Sequence, residues 1–426
     1  MTLRHILILI CFSISSLSAD WTNWRGPHFN LTTAHQDFPN EFSGSKNVAW
    51  AADLPGEGAS TPAIWKNTIY VTTLDANVNT VIAFDKKGNR KWETQISIGE
   101  GGSHRAGTGA NPSPVVDESG VYVYFKSATL AKLDHSGKEL WKRELQKDYS
   151  LTSQWWDLGT SPVLVDGKII VAVMQQLARR RSGEKCETYV VAFDQKTGKE
   201  AWKVDRYLAA PVESNDAYTT PLVATVDGEK QLVIWGADQL TGHSIANGNL
   251  IWQCKDFNPN DAGNWHTIAS HAIQDDIAVV PYGRGYAVAG IKMSGKGDIT
   301  QGSRLWEIQR IGPDVPTPVI MGDTAIILTD RGALTAVDIR SGDVRWKGEL
   351  PRSPDRFYSS PIVSGNRLIC SREDGTVFVT EISESGMKLL AENNFDGETI
   401  LATPIPHEDR LYVRTSSRLY CIGNKS

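Results

Sequence analysis

Ala192-Phe193-Asp194-Gln195-Lys196-Thr197-Gly198-Lys199-Glu200-Ala201-Trp202 recurs along the chain as Ala336-Val337-Asp338-Ile339-Arg340-Ser341-Gly342-Asp343-Val344-Arg345-Trp346. Versions one residue shorter end at Trp92, with Asp85 and Gly88, and at Trp141, with Asp134 and Gly137. Degenerate versions end at Trp252 and Trp306. A period of about 40–60 residues built from short β-like runs points to stacked supersecondary units rather than to one core with one cleft.

Between these motifs a second unit recurs: Ser or Thr, Pro, an apolar pair, a turn, then an apolar strand. It starts at Ser60-Thr61-Pro62, Ser113-Pro114, Ser161-Pro162, Thr220-Pro221, Thr317-Pro318, Ser360-Pro361 and Thr403-Pro404. Proline at a strand start removes no ladder bond, and Gly, Asp and Asn turns separate the runs. Each full unit therefore reads as four antiparallel strands, one blade of a propeller. Eight blades are expected, beginning near residues 60, 112, 160, 219, 269, 316, 359 and 402. The last has only three strands, at 403–405, 410–413 and 418–422. Asn47-Val48-Ala49-Trp50 reads as its missing outer strand, arriving from the other end of the chain and removing the exposed edge. Blade five has no Ser-Pro start, and Gly295-Lys296-Gly297 opens an expanded turn in it. Blade seven ends in Leu389-Leu390 where Trp is expected.

Seven of the fourteen tryptophans belong to the repeat: Trp50, Trp92, Trp141, Trp202, Trp252, Trp306 and Trp346. A large flat ring fills the gap between adjacent twisted blades, so these are expected to be structural docking residues. The motif glycine suits a positive backbone angle before the outer strand. The motif aspartate suits the backbone donors of that turn.

The Ala-x-Asp-x-x-Thr-Gly-x-x-x-Trp pattern resembles the tryptophan-docking repeat of PQQ-type eight-bladed propellers. That family includes quinoprotein alcohol dehydrogenases and BamB-type propellers of outer-membrane barrel assembly. The opening Trp21-Thr22-Asn23-Trp24-Arg25-Gly26-Pro27 and the ending Leu411 to Thr415 and Leu419 to Ile422 are similar to secreted PQQ-like propellers of planctomycete-type bacteria. The resemblance covers residues 20–423 and implies an all-β, eight-bladed fold. It does not by itself imply the cofactor PQQ, since many members carry the repeat without it.

Residues 1–19 read as a secretory signal peptide: Arg4 and His5, an apolar run at 6–12, then small residues up to Ala19. The run is too short to span a membrane. Ile10 stands before Cys11 where a lipoprotein signal needs a small residue. The expected organisation is signal peptide 1–19, N-terminal extension 20–45 and propeller 46–423, in a periplasmic or secreted monomer. A net charge of −5 gives no support to nucleic-acid binding, which would normally show a basic face. Cys186, Cys254, Cys370 and Cys421 match no metal spacing. An oxidising compartment permits bridges between them, and buried small hydrophobes are the simpler reading of Cys370 and Cys421.

In a propeller, connections from one blade's outer strand to the next blade's inner strand share a face with the loops between second and third strands. Ligand sites favour that funnel. The connections carry His104 and Arg105 before blade two, then Trp155, Trp156 and Asp157 before blade three. Asp216 and Tyr218 come before blade four, Trp265 and His266 before blade five, and Arg356 before blade seven. Aromatic walls with a few polar groups make a small-ligand pocket, and these faces suit a glycan or an envelope protein. Arg179-Arg180-Arg181, in the blade-three insertion at 175–187, reads as a solvated charged loop.

No GxSxG elbow, Walker loop or HExxH site occurs, so no catalytic residue, metal or cofactor is assigned. The expectation is a non-catalytic protein- or glycan-binding scaffold. The alternative is a PQQ-dependent dehydrogenase with calcium, oxidising an alcohol or sugar. The resemblance implies for such enzymes an adjacent Cys-Cys pair, a metal held by Glu and Asn, and an Asp base. The chain has no Cys-Cys pair, and Glu213, Asn215, Asp216, Asn264 and Asp314 supply the other residue types only by free choice.

Overall fold

The computed structural model describes residues 20–34, 37–152, 154, 156–179 and 182–424. The expected leader 1–19, with Trp155, Arg180 and Arg181, lies outside them. Eight antiparallel sheets follow one another in chain order. The first seven blades occupy 63–98, 115–144, 163–205, 222–254, 272–309, 319–349 and 362–394. The eighth joins Ile405–His407, Arg410–Arg414 and Arg418–Ile422 to the N-terminal strand Val48–Asp53. That strand pairs antiparallel with the last one, Trp50 opposite Cys421 and Asp53 opposite Arg418. The ring is thus closed by hydrogen bonds between the two ends of the chain.

The second and third strands of a blade touch neighbouring blades on both faces, and their sequences are correspondingly apolar throughout. Gly120–Tyr124 and Thr129–Leu133 are buried along their whole length, whereas outer strands such as Arg90–Ile98 are largely exposed. Among the described residues no helix is long and apolar enough to cross a membrane.

The repeated motif forms a joint between blades. A Cβ added at Gly88, Gly137, Gly198, Gly248 or Gly342 would stand 2.6–2.7 Å from an indole atom of Trp50, Trp92, Trp141, Trp202 or Trp306 respectively. Each of these tryptophans comes from the preceding blade. Its Nε1 donates to the carbonyl that follows the motif aspartate or its Ser244 equivalent, as in Trp92 to His135 (2.9 Å) and Trp306 to Ile339 (2.7 Å). The aspartates Asp85, Asp134, Asp194 and Asp338 accept backbone N–H groups of the same turns. The departures have local causes. Trp252 faces the expanded turn of blade five and bonds instead to Gln231 Oε1 of its own blade. Blade eight has no hairpin before its outer strand, so there is no turn for a tryptophan of blade seven, and the register places Ala391 where the other blades have the ring.

The Ser or Thr before each inner strand has a second role. Thr61 N–H donates to Ser113 Oγ, Ser113 to Ser161, Ser161 to Thr220, Thr220 to Ser270, Ser270 to Thr317, Thr317 to Ser360 and Ser360 to Thr403, all at 2.9–3.1 Å. Seven such bonds tie blades one to eight, each to the next, around the channel, and Arg414 completes the circle by donating to Ser60 O between blades eight and one (3.1 Å). Blade five joins it through Ser270, with His271 in the place of proline.

Residues 20–34 and 37–45 form a strap on the far side of that circle, running from the inner strands out along blade seven. Trp21 O and Thr22 O accept from Ile64 and Val116 of blades one and two. Arg25 reaches His271 O in blade five (3.5 Å). Thr32–Thr33 adds a parallel strand to the inner edge of blade seven, and Phe42 N–H bonds Asn393 at that blade's outer end. The expanded turn of blade five reaches back to blade four, where Gly297–Asp298 adds a fifth, parallel strand.

Candidate functional site

The opposite mouth of the channel opens into a cavity of about 560 Å³. Its wall is built from the connections into all eight blades. His104, Arg105 and Asn111 precede blade two, Trp156 and Asp157 blade three, and Glu213 and Tyr218 blade four. His266 and Ile268 precede blade five, Asp314 and Val315 blade six, Arg356 and Tyr358 blade seven, Leu401 blade eight and Ala59 blade one. Arg284 comes from the loop between second and third strands of blade five. The short inner strands start beside the axis, so whatever precedes them converges there.

One side of the cavity is aromatic. The His104 imidazole stands edge-on to Trp156 (5.6 Å between centroids, 89°) and to Tyr358 (6.1 Å, 70°). His104 Nδ1 accepts from Ala106 N–H at 3.1 Å, which fixes the ring and places the proton on Nε2. Burial and the neighbouring Arg105 push its pKa down, so the ring is neutral at neutral pH.

The other side carries charge in unequal pairs. Arg105 bonds Glu373 Oε1 at 2.9 Å and lies over the Tyr358 ring. Glu373 Oε1 also accepts the backbone N–H of Arg356. Arg284 lies 3.7 Å from Asp314, which is an ion pair without a short hydrogen bond. Glu213 takes a 3.3 Å bond from Trp156 Nε1. His266 Nδ1, at 3.6 Å from Glu213, is beyond hydrogen-bond reach, and burial holds that imidazole neutral. Asp157 is the deepest carboxyl. It accepts from Thr108, Gly109 and Leu158 N–H groups, yet burial dominates and pushes its pKa up to about 6. Asp330 is raised in the same way, to about 6, beneath the connection into blade six.

Seven of the sequence-expected residues line this cavity: His104, Arg105, Trp156, Asp157, Tyr218, His266 and Arg356. Asp216 does not. It is buried beneath the surface, where its carboxylate accepts from Gln176 N–H (3.0 Å) and Gln176 Nε2 (2.7 Å) and pins the blade-three insertion. Trp265 lies outside as well, its Nε1 on Phe257 O and its ring against Tyr286. Trp155 falls outside the described residues. Arg284 and Glu373 were not expected, although both sit in loops between second and third strands, which share the funnel face. Glu213, Asp314 and Tyr358 stand in the connections already read as rich, and nothing in their spacing sets them apart from their neighbours. The four cysteines of the described residues are buried, and none lines the cavity.

A family model described as outer membrane protein assembly factor BamB matches residues 43–188 and 187–426. Outer membrane protein assembly factor BamB of Escherichia coli is 30% identical over 118 residues, which is 28% of this chain and 28% of that protein. The aligned stretch therefore spans little more than a quarter of that relative's length. The BamB of Burkholderia pseudomallei is 22% identical over 377 residues, 86% of this chain and 84% of that protein. Among solved structures, quinohemoprotein alcohol dehydrogenase from Comamonas testosteroni superposes with a TM-score of 0.67 at 14% identity, over 96% of this chain and 81% of that one. At that identity the likeness is one of fold.

Proposed function

The chain belongs to the family of outer membrane protein assembly factor BamB, and on that premise we propose that it is a non-catalytic scaffold of the cell envelope, periplasmic or secreted, that holds a protein partner on the funnel face. The observation that carries this reading is an apolar rim beside the cavity. Tyr207 and Val212, on the connection into blade four, are 44% and 68% exposed, and Leu177 on the neighbouring insertion is 42% exposed. Val212 stands immediately before the cavity residue Glu213. Its φ of 36°, with 55° at Ala209, is a conformation that a β-branched residue adopts at a cost. Exposed apolar side chains on a strained loop fixed to a rigid scaffold are expected of a docking surface. A photo-crosslinking residue at Val212 should form adducts with a purified outer-membrane assembly complex, and one at exposed Lys388 on blade seven should not. Equal labelling from both positions, or none from Val212, would remove the basis of this reading.

The dehydrogenase reading finds less support. A bound PQQ with calcium calls for the donor set that the family resemblance implies, and the residues at hand do not fit it. Asn215 turns its amide onto its own loop, at Ala210 O and Val212 O. Among the described residues no three His, Cys, Asp or Glu side chains gather as a metal site. No step through such a group is derived.

A further inference from the structure

The rim accounts for a protein partner but not for the cavity behind it, which holds polar groups left without partners. Arg105 is paired with Glu373, and Arg284 stands against Asp314. The guanidinium of Arg356 lines the same space with no hydrogen bond or ion pair among the described residues, since only its backbone N–H is engaged. On residues lining the same cavity, the Tyr218 hydroxyl, His266 Nδ1 and Asp314 Oδ1 are buried and without a hydrogen bond. Glu213 takes one long hydrogen bond, from Trp156, and stands 3.6 Å from His266 Nδ1.

We propose that the funnel cavity binds a saccharide bearing a carboxylate, a uronic acid residue. Three features select that chemistry together. A single unpaired guanidinium suits one carboxylate, which it grips through two parallel N–H bonds. Carboxylate acceptors at Glu213 and Asp314, next to a hydroxyl and an imidazole nitrogen, call for a ligand with several groups that both donate and accept, and ring hydroxyls do both. The exposed face of Trp156 carries the negative side of an aromatic quadrupole, which attracts the polarised C–H bonds of a pyranose. Each alternative leaves something unmatched. A multiply charged anion such as phosphate is repelled by Glu213 and Asp314. A simple carboxylate offers nothing to Tyr218, His266 or Asp314. A neutral sugar leaves Arg356 unused. Unpaired buried polar groups are costly, and the ring hydroxyls of a bound sugar would supply the missing partners. This site does not depend on the rim as a protein-docking surface.

Isothermal titration of the full chain with trigalacturonate tests the proposal. Acetate, inorganic phosphate, neutral galactose and a glutamate-containing dipeptide serve as comparison probes. Trigalacturonate should bind saturably and more tightly than every comparison probe. Arg356→Gln should weaken it roughly tenfold to a hundredfold, the worth of a charge-assisted pair. Tyr218→Phe should weaken it by a smaller factor. Trp156→Leu should abolish the upfield ring-current shift of the bound pyranose ring protons in NMR. Both titration variants should keep the native melting transition. Equal binding of acetate or phosphate would reduce the cavity to an anion site. Equal binding of galactose would remove Arg356 from recognition, and tighter binding of the dipeptide would make this a peptide site. Each of these overturns the proposal, as does absence of saturable binding or an unchanged Arg356→Gln. The Val212 crosslink is read separately, so either proposal can fail while the other stands.

Discussion

Replacing Gly198 by Ala measures the interblade joint directly, because Gly167 supplies a matched control in the same blade. The two glycines have φ of 66° and 72°. A Cβ at 167 meets nothing within 4 Å, whereas one at 198 meets Trp141 Cδ2 at 2.7 Å and Cε3 at 2.9 Å. Gly167→Ala should therefore cost only the left-handed conformation, about 1–2 kcal/mol. Gly198→Ala carries that cost plus overpacking against the indole, a further 1–3 kcal/mol or so. Part of the excess comes from displacing Trp141, whose Nε1 bonds Gln195 O at 3.2 Å. Urea unfolding followed by near-ultraviolet circular dichroism, with reversibility checked, gives both values. In a Trp141→Ala background the excess should vanish and the two substitutions should cost the same, a coupling that a double-mutant cycle reads out. If Gly198→Ala and Gly167→Ala are equally destabilising with Trp141 present, the tryptophan does not dock on the glycine and the explanation of the repeat fails.

Two further outcomes follow from buried groups of the ring. Ser161→Ala removes the acceptor of Ser113 N–H and should cost about 1–3 kcal/mol, the penalty of an unsatisfied buried donor. Ser161→Thr, which restores the hydroxyl that three other blades supply as threonine, should recover most of it, and faster hydrogen exchange at the Ser113 amide in the alanine variant alone would locate the effect. Burial, reinforced by Arg25, pushes the His271 imidazole down to about 3. The ring is therefore neutral in the fold, and its stabilising effect is complete above the unfolded pKa of about 6.5 and is lost as pH falls toward the folded value. Between pH 6.5 and 5 that is a loss of about 2 kcal/mol. His271→Gln should flatten this part of the stability–pH curve, and an unchanged slope would show that the ring is not held neutral.

The blades were legible in the sequence because their joints are short-range. The glycine, the aspartate and the outer-strand tryptophan of one blade lie within eleven residues, so each joint leaves a local imprint even though the tryptophan docks on the next blade. Closure by the strand at Trp50 was legible for the same reason, since the last unit lacked one strand and the first had a spare. The hydroxyl circle was not. Its Ser and Thr residues were visible, but their partners sit 43–59 residues away, and a Ser-Pro start is explained well enough by strand geometry alone. The strap was hidden for a related reason. It takes hydrogen bonds from inner-strand edges that look satisfied when each blade is considered alone, and nothing in 20–45 repeats. At the site, topology identified which connections converge but not which side chains within a connection turn inward. Asp216 and Tyr218 are two residues apart, yet one anchors Gln176 and the other lines the cavity. The alternation that decides this is set by a loop whose backbone departs from strand periodicity at Val212.

The two ends of the channel are built differently, and this asymmetry is what gives the cavity its character. On one side of the hydroxyl circle the strap fills the interior, burying Trp21 and Leu31 and placing the Arg25 guanidinium where burial drives its pKa down to about 9. Such a group is expensive to bury, and the chain retains it where it links the strap to blade five. On the other side no described segment crosses the axis, and the connections stop short with the Tyr218 hydroxyl, His266 Nδ1 and Asp314 Oδ1 left without a hydrogen bond. A ring that only needed to be rigid would gain from filling both ends. One end is sealed at the cost of a buried charge, and the other is left open at the cost of unsatisfied polar groups. The energy of the fold is thus arranged around one wet, preorganised face. The hydroxyl circle between the two ends holds the eight connections in register, so a ligand in the funnel meets groups whose positions are set by the ring and not by the flexibility of individual loops.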